Sequence, residues 1–505
     1  MQNCDFRLQR LLAELSNDAC RDMKQGKAGA MELELEHTFA TICSGTEITT
    51  VALQALQKAM PAHGFRHRFR CLWTCEIDKS KWDWQRHLFK HYDEDSCMFE
   101  NAVHLHKPMQ KCLRHGEQCR VMSPEGVVAG VSCKDFSKQN PKRFLNKAST
   151  GGGPSVLASS SSPGGSAQTT YALMRIIEVY SPLWVVLENS DELLEDNPDW
   201  TIILSFFQES GYRCVPCILD TQEFGLPARR RRGYLTAILT ASRKHSLSNE
   251  AFEEFQKEFF IPNLNAMRRI PPSVVDVLER PDSKIVEKAQ QDWLDHKAAA
   301  LEPGTVDGHM SLMRSSHSPA VTSYSRIQCR DSSRASDWFP AMNARMKQIL
   351  SQRQEAHRDI ADFQIYDLSQ SGHRIPCSSP HGEFPEVLIA TTVLPGSFFW
   401  ISFPDPGAGT AGAQLHPSMT QERPLVSEEH LLLQGWPIRG GPVPLHEIPR
   451  NVQTSLAGNM FSASVILSVI ASLIFSVPWA DPDDSEFVEE SEQCADLAFD
   501  AVASL

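Results

Sequence analysis

Leu183-Trp184-Val185-Val186-Leu187 is apolar at every position. A strand with one wet face alternates polar and apolar residues. An unbroken run of this length reads instead as a strand covered on both faces, which places the chain among α/β folds with a parallel sheet. Helical patterns at 171–180 and 200–209 flank the run and supply the covering layers. The run closes in Glu188-Asn189-Ser190. An acid at that point stands at the carboxyl edge of the sheet, where open α/β folds bind their ligands. A second small apolar run, Ala129-Gly130-Val131, leads into Ser132-Cys133-Lys134-Asp135-Phe136-Ser137. Its turn lifts Cys133 to the same edge, as a candidate nucleophile. Taken alone, Cys133 reads more readily as a buried structural thiol.

Other strand–turn–helix units come first. His37-Thr38-Phe39-Ala40-Thr41-Ile42 alternates like a strand, Cys43-Ser44-Gly45-Thr46 turns, and 47–60 reads as a helix. Backbone N–H groups of such a turn favour an anionic group, although an ordinary βα turn looks the same. Cys71-Leu72-Trp73-Thr74-Cys75 is a second strand, closed by Glu76-Ile77-Asp78. Glu76 stands where Rossmann-like folds hold ribose hydroxyls, or else near the start of a helix over 79–92. Strands at 212–219 and 233–239 extend the sheet. Between them lies Phe224-Gly225-Leu226-Pro227-Ala228-Arg229-Arg230-Arg231-Arg232, whose arginines alone would be a solvated run or a nuclear address.

Charge is uneven. The chain of 505 residues carries a formal −13. Nine acidic and no basic residues follow from Asp481, so the rest carries only −4. That excludes a simple basic coat protein and reads the end, 481–505, as an acidic disordered tail. Residues 1–36 have Leu8, Leu11, Leu12 and Leu15 at near-helical spacing and form an N-terminal extension. Residues 240–422 lose periodicity, and 314–353 interleaves seven basic residues with Tyr324, Trp338 and Phe339, a mixture suited to phosphate contacts and stacking. Residues 148–169 are rich in Ser and Gly and read as a flexible loop beside Cys133.

Fourteen cysteines in a long chain without an apolar leader are expected as reduced thiols. Cys97, His104, His106, Cys112, His115 and Cys119 offer ligand types for zinc, but no two cysteines among them are two residues apart, and no metal site is expected. Cys214 and Cys217, on one strand, point to opposite faces and read as structural. The stretch 454–480 carries no charged residue and is strongly apolar over 465–477, long enough to suggest a membrane span, yet its serines favour a buried helix, so no membrane partner is expected.

In order and spacing these blocks resemble the cytosine-C5 DNA methyltransferase family over 37–239 and 423–477. Phe39 to Gly45 looks like its first motif and Glu76-Ile77-Asp78 like its second. Ser132-Cys133-Lys134 resembles the Pro-Cys-Gln nucleophile loop, and Glu188-Asn189-Ser190 the Glu-Asn-Val motif. Ala228-x-Arg230-x-Arg232 resembles Gln-x-Arg-x-Arg, and Leu433-Gln434-Gly435-Trp436-Pro437 with Gly458-Asn459 resembles the last two motifs. Thr41 and Cys43 stand where the family usually has glycines. The resemblance implies a Rossmann-like methyltransferase sheet that binds S-adenosyl-L-methionine (AdoMet), spanning 37–239 plus 423–480. A smaller target-recognition domain at 240–422 would be inserted in it. It implies Cys133 as nucleophile toward cytosine C6, Glu188 as the acid at N3, Arg232 on O2 and Arg230 in support. Phe39 and Ile77 would pack on adenine, Glu76 would hold the ribose, and Gly45 and Asn459 would complete the cofactor site. Double-stranded DNA in the nucleus is the implied partner. RNA on the same scaffold and a silent DNA-binding regulatory homologue are the other readings.

Overall fold

The computed structural model describes residues 5–23, 35–43, 45–92, 95–133, 135–136, 156–157, 165–195, 198–240, most of 242–301, 346, 349–350, 364–369, 389–402 apart from 396, and 423–479. The basic and aromatic residues singled out at 314–339, nearly all of the Ser/Gly loop before residue 165, and the acidic tail fall outside them.

Seven strands form one sheet. They are β1 (Glu36–Ile42), β2 (Arg68–Cys75), β3 (Cys97–Phe99), β6 (Gly126–Ala129), β7 (Trp184–Ser190), β8 (Tyr212–Asp220) and β9 (Arg231–Leu239). A hairpin of β4 (Met109–Lys111) and β5 (Gln118–Arg120) stands apart from it. The sheet order is β3-β2-β1-β6-β7-β9-β8. Neighbours from β3 to β7 pair in parallel, and β9 runs against both β7 and β8. The chain winds outward from β1 to β3, then returns to build outward from β6. The strand order therefore reverses between β1 and β6, and the crevice beyond their carboxyl ends is the place where such sheets take ligands.

Every residue of β6 and β7 is buried, which explains the unbroken apolar run at 183–187. Gly126 lets the two strands lie flat together, since a Cβ there would stand 2.0 Å from the Trp184 ring. The two faces feed different cores. Phe39, Val128 and Val186 face one side with α1 (Asp5–Asp22), α2 (Ile48–Ala59) and α3 (Trp82–Tyr92). Ala40, Val127 and Val185 face the other with α4 (Gly165–Tyr180) and α5 (Pro198–Glu209). The doubly covered α/β sheet expected from the sequence is thus what forms. Cys214 and Cys217 on β8 pack into opposite cores, and no disulfide links the described cysteines.

Two α-helices close the fold, α7 (Arg450–Asn459) and α8 (Ala463–Ser476), after the short α6 (Ser427–Leu433). All of α8 is buried, against α1 and α2 among others. Two of its serines are satisfied on the preceding turn: Ser468 Oγ donates to the Ser464 carbonyl (2.7 Å) and Ser472 Oγ to that of Ser468 (2.6 Å). Among the described residues no single helix is long and apolar enough to cross a membrane. α7 and α8 reach that test only together, across a 42° bend. The Leu pattern of the N-terminal extension finds its partner here, because Leu11, Leu12, Leu15 and Ala19 of α1 join the α2 and α8 core. Phe252, Phe255, Phe260 and Leu264, in the stretch expected to be inserted, join the same core. A small sheet of β10 (Gln364–Asp367), β11 (Phe399–Ser402) and β12 (Arg423–Pro424) leads back to α6. There the buried Arg423 and Glu429 pair at 2.7 Å.

Candidate active site

The loop after β6 is clasped from two sides. Gly130 N–H donates to the Ile42 carbonyl (2.9 Å) and keeps β6 beside β1. Asn189 Nδ2, at the end of β7, donates to the Val131 carbonyl (3.1 Å). The start of α4 holds the other side. Ser132 N–H donates to Thr169 Oγ1 (3.2 Å), and Asp135 N–H donates to Ser166 Oγ (3.1 Å). Asp135 Oδ2 accepts the Ser166 N–H (3.2 Å), which places a carboxylate at a helix N-terminus. Between these clasps Phe136 N–H donates to the Cys133 carbonyl (3.0 Å) in a tight turn, and the Phe136 ring is buried. Cys133 is thereby presented at the sheet edge with its thiol only partly covered.

Glu188 and two arginines face it. Strand alternation sends Arg230 and Arg232 to one side, while Arg231 points away to Asp191 (3.4 Å) and Glu195 (3.1 Å). Antiparallel pairing sets Arg232 opposite Ser190, two residues beyond Glu188. Arg232 Nε lies 3.4 Å and Arg230 Nη2 4.0 Å from Glu188 Oε1. These contacts are close enough for charge attraction but make no hydrogen bond, so the buried Oε1 has no hydrogen-bond partner. An orphaned polar atom in a buried site is costly and marks a place for a ligand. Arg230 is buried and braces the site: Nη1 donates to the carbonyls of Gly458 (3.1 Å) and Val393 (3.4 Å). Burial, helped by Arg232, pulls its guanidinium down to about 10.

Burial pushes the Cys133 thiol up from its ordinary range. Arg232 and Arg230 pull it back down, and Glu188 opposes them. The three side chains assigned to catalysis by resemblance therefore sit in one electrostatic neighbourhood around Cys133. Asn189 and the Ser166/Thr169 clasp escaped sequence reasoning. Their signal was present only as polar residues directly beside Glu188 and at a helix start.

The turn after β1 forms the other half of the crevice. Cys43 has φ +56°, Gly45 +69° and Glu47 +59°. This left-handed backbone is the reason glycine suits such a turn, and a non-glycine pays strain there. A Cβ on Gly45 would stand 3.3 Å from the Asn459 carbonyl oxygen. Asn459 therefore closes on the turn through its backbone, while its exposed side chain donates to the Ser455 carbonyl (2.9 Å). Glu47 is buried in a nest of donors: Thr41 Oγ1 (2.7 Å), Gln85 Nε2 (3.4 Å) and Thr74 Oγ1. Thr41, which replaces a family glycine, thus has a task of its own. Thr46 Oγ1 is buried with no hydrogen-bond partner.

Glu76 is buried at the end of β2. Its Oε1 accepts the Asp78 N–H (3.0 Å) and its Oε2 lies 3.4 Å from Lys81 Nζ. Ile77 beside it is 63% exposed. An exposed apolar side chain, a buried acid and an unpartnered hydroxyl at one sheet edge fit an adenosyl ligand with a charged tail. Phe39 does not join them. It pairs with Cys71 and Gly126 in mid-sheet and is 1% exposed, so it is a core residue and cannot cover adenine. Of the six residues with zinc-ligand chemistry weighed in the sequence, Cys97, Cys112, His115 and Cys119 converge. His104 and His106 stay out of that cluster and border a separate hollow with Tyr171 and Arg175.

Comparison with known proteins agrees with the motif order. The family model of C-5 cytosine-specific DNA methylases matches residues 37–477. The DNA (cytosine-5-)-methyltransferase DMT5 of Verticillium dahliae is 23% identical over 497 residues, covering 85% of this chain and 19% of that protein. The DMT5 of Cryptococcus neoformans var. grubii is 28% identical over 210 residues, 41% of this chain and 8% of that protein. The chain thus spans a fifth or less of the length of these relatives. Among solved structures, the Entamoeba histolytica methyltransferase EhMeth covers 87% of this chain and 98% of its own, at 9% identity and a TM-score of 0.43. With its motifs in order along a seven-stranded α/β sheet, the chain belongs to the C-5 cytosine-specific DNA methylase family.

Proposed function

We propose that this chain transfers a methyl group from AdoMet to C5 of cytosine in double-stranded DNA through a covalent adduct of Cys133. The observation that carries the reading is the meeting of Cys133, Glu188 and Arg232 at one sheet edge, with Glu188 Oε1 buried and without a hydrogen-bond partner. A family member that only bound DNA would need neither a nucleophile nor an acid there.

Cytosine C5 is a weak nucleophile. The Cys133 thiolate adds to C6, the C5–C6 π pair moves into the ring, and negative charge develops toward N3. Glu188 holds a proton at N3, and Arg232 donates to O2, where charge also builds. C5 is then nucleophilic enough to accept a methyl group. Loss of the C5 proton to solvent and expulsion of the Cys133 thiolate restore the ring. A duplex hides C6, so the base must leave the stack to reach Cys133. AdoMet, when bound, supplies the electrophilic methyl. Glu76, Ile77, the turn at 43–47 and the backbone of Asn459 are the residues that would hold it.

In this reading 240–422 carries target recognition, with 314–353 on the phosphates, and the chain works in the nucleus. The test gives the purified chain AdoMet labelled in its methyl group, with duplex DNA and with structured RNA. Label at C5 of DNA cytosine supports the proposal. Label on RNA alone reassigns the substrate. Bound AdoMet with no transfer to either, across varied sequences, overturns catalysis.

A further inference from the structure

The hairpin of β4 and β5 has little to hold it. Each strand has three residues, mostly exposed, and Met109 is 48% exposed. An isolated two-stranded hairpin of that size is marginal in water. Yet four side chains meet at its base. Cys97 opens β3, the edge strand of the main sheet, Cys112 follows β4, His115 lies in the turn and Cys119 is in β5. Their ligand atoms all lie within 4.8 Å of one another.

The distances suit a tetrahedral ion. Zinc–sulfur bonds of about 2.3 Å and zinc–nitrogen bonds of about 2.0–2.1 Å give S···S edges of about 3.8 Å and S···N edges of about 3.6 Å. His115 Nδ1 stands 3.7 Å from Cys97 Sγ and 3.3 Å from Cys119 Sγ. Cys112, fully buried, has its sulfur aimed at by the N–H groups of Met98 (3.4 Å) and His115 (3.5 Å). Such N–H donors support a thiolate ligand from behind. Cys97 and Cys119 are part-exposed, so an ion has a way in. Three thiolates and an imidazole are soft donors that select zinc, and a complete set of four protein ligands marks a structural site.

We propose that Cys97, Cys112, His115 and Cys119 bind one structural Zn²⁺ that staples the β4–β5 hairpin to the edge strand β3. The staple reaches the crevice through few bonds. Phe99, two residues after Cys97, accepts the Glu76 N–H (3.1 Å), so the metal steadies the strand end that carries the candidate ribose acid.

The full chain, purified under reducing conditions and exchanged against trace zinc, is expected to hold about one zinc per chain by elemental analysis. Cobalt exchanged into the site should give the absorption of a tetrahedral, thiolate-rich complex. The metal should also protect three thiols from alkylation until a strong chelator removes it, with a fall in Tm. Cys119→Ser should lose the zinc, while a Cys214→Ala/Cys217→Ala double variant should retain it. If Cys119→Ser does not fold, the cobalt spectrum and chelator-induced exposure of thiols in the unaltered chain decide. A folded chain that holds no zinc after loading overturns the proposal. So does zinc that survives loss of Cys119, or a disulfide among these cysteines with no metal.

Discussion

Asn189 Nδ2 donates to the Val131 carbonyl at 3.1 Å, and through this bond the strand that carries Glu188 fixes the loop that carries Cys133. The donor comes from the residue next to the acid, and the acceptor lies two residues before the nucleophile. Asn189→Ala leaves a buried carbonyl without its donor, a loss of about 1–3 kcal/mol. The larger effect should fall on rate. Displacing a reacting group by an ångström costs on the order of 10²-fold. A drop of that order in kcat, with AdoMet binding by calorimetry unchanged, is expected. Equal losses in both would mean that Asn189 is a general fold residue.

Glu47 faces three donors from Thr41, Thr74 and Gln85 and is wholly buried. Glu47→Gln turns one acceptor into a donor against them. The cost should be about 1–3 kcal/mol, read as a lower urea midpoint at constant m-value. An unchanged midpoint would show that the carboxylate is not needed as a pure acceptor.

The Cys133 thiol is raised by burial and lowered by Arg232 and Arg230. Its alkylation by iodoacetamide in the free protein should therefore speed up as pH rises beyond the usual thiol range. Arg232→Ala removes the largest lowering charge and should move that curve to higher pH. A shift to lower pH would place Arg232 away from the thiol.

Buried histidines set the acid limit. Burial pulls His430 and His245 down to about 4 and His37 well below 6.5. In the unfolded chain they take up protons near pH 6.5, while the folded chain leaves them neutral. Between pH 6.5 and about 4 the unfolded state binds more protons, so their contribution is complete above 6.5 and is lost as pH falls through that window. The urea midpoint should begin to fall just below pH 6.5, ahead of carboxylate titration. A midpoint flat down to pH 5 would contradict this.

The sheet was legible because fully buried strands announce themselves as unbroken apolar runs, and Glu188 and Cys133 stand where two such runs stop. The arginine spacing was legible because alternation alone puts Arg230 and Arg232 on one side. Phe39 was placed on adenine by resemblance alone; alternation along 37–42 gives a strand but not its edge, which the pairing of Phe39 with Gly126 puts three residues further on, at Ile42. The Cys97–Cys119 cluster was half legible: Cys112, His115 and Cys119 stand close in the sequence, but Cys97 comes from the sheet edge β3, and only the fold brings it to the other three. Asn459 was legible only through resemblance, and it acts through a backbone carbonyl that any residue carries.

In the proposed reaction Cys133 attacks cytosine C6 in DNA. A duplex containing 5-fluorocytosine tests it most directly, because fluorine cannot leave C5 as a proton does and a competent nucleophile stays bonded to the base. With AdoMet present, a denaturant-resistant protein–DNA complex is predicted, and it should vanish in Cys133→Ala. No complex across varied duplex sequences, with AdoMet binding confirmed, would contradict the account, as would a complex that survives Cys133→Ala.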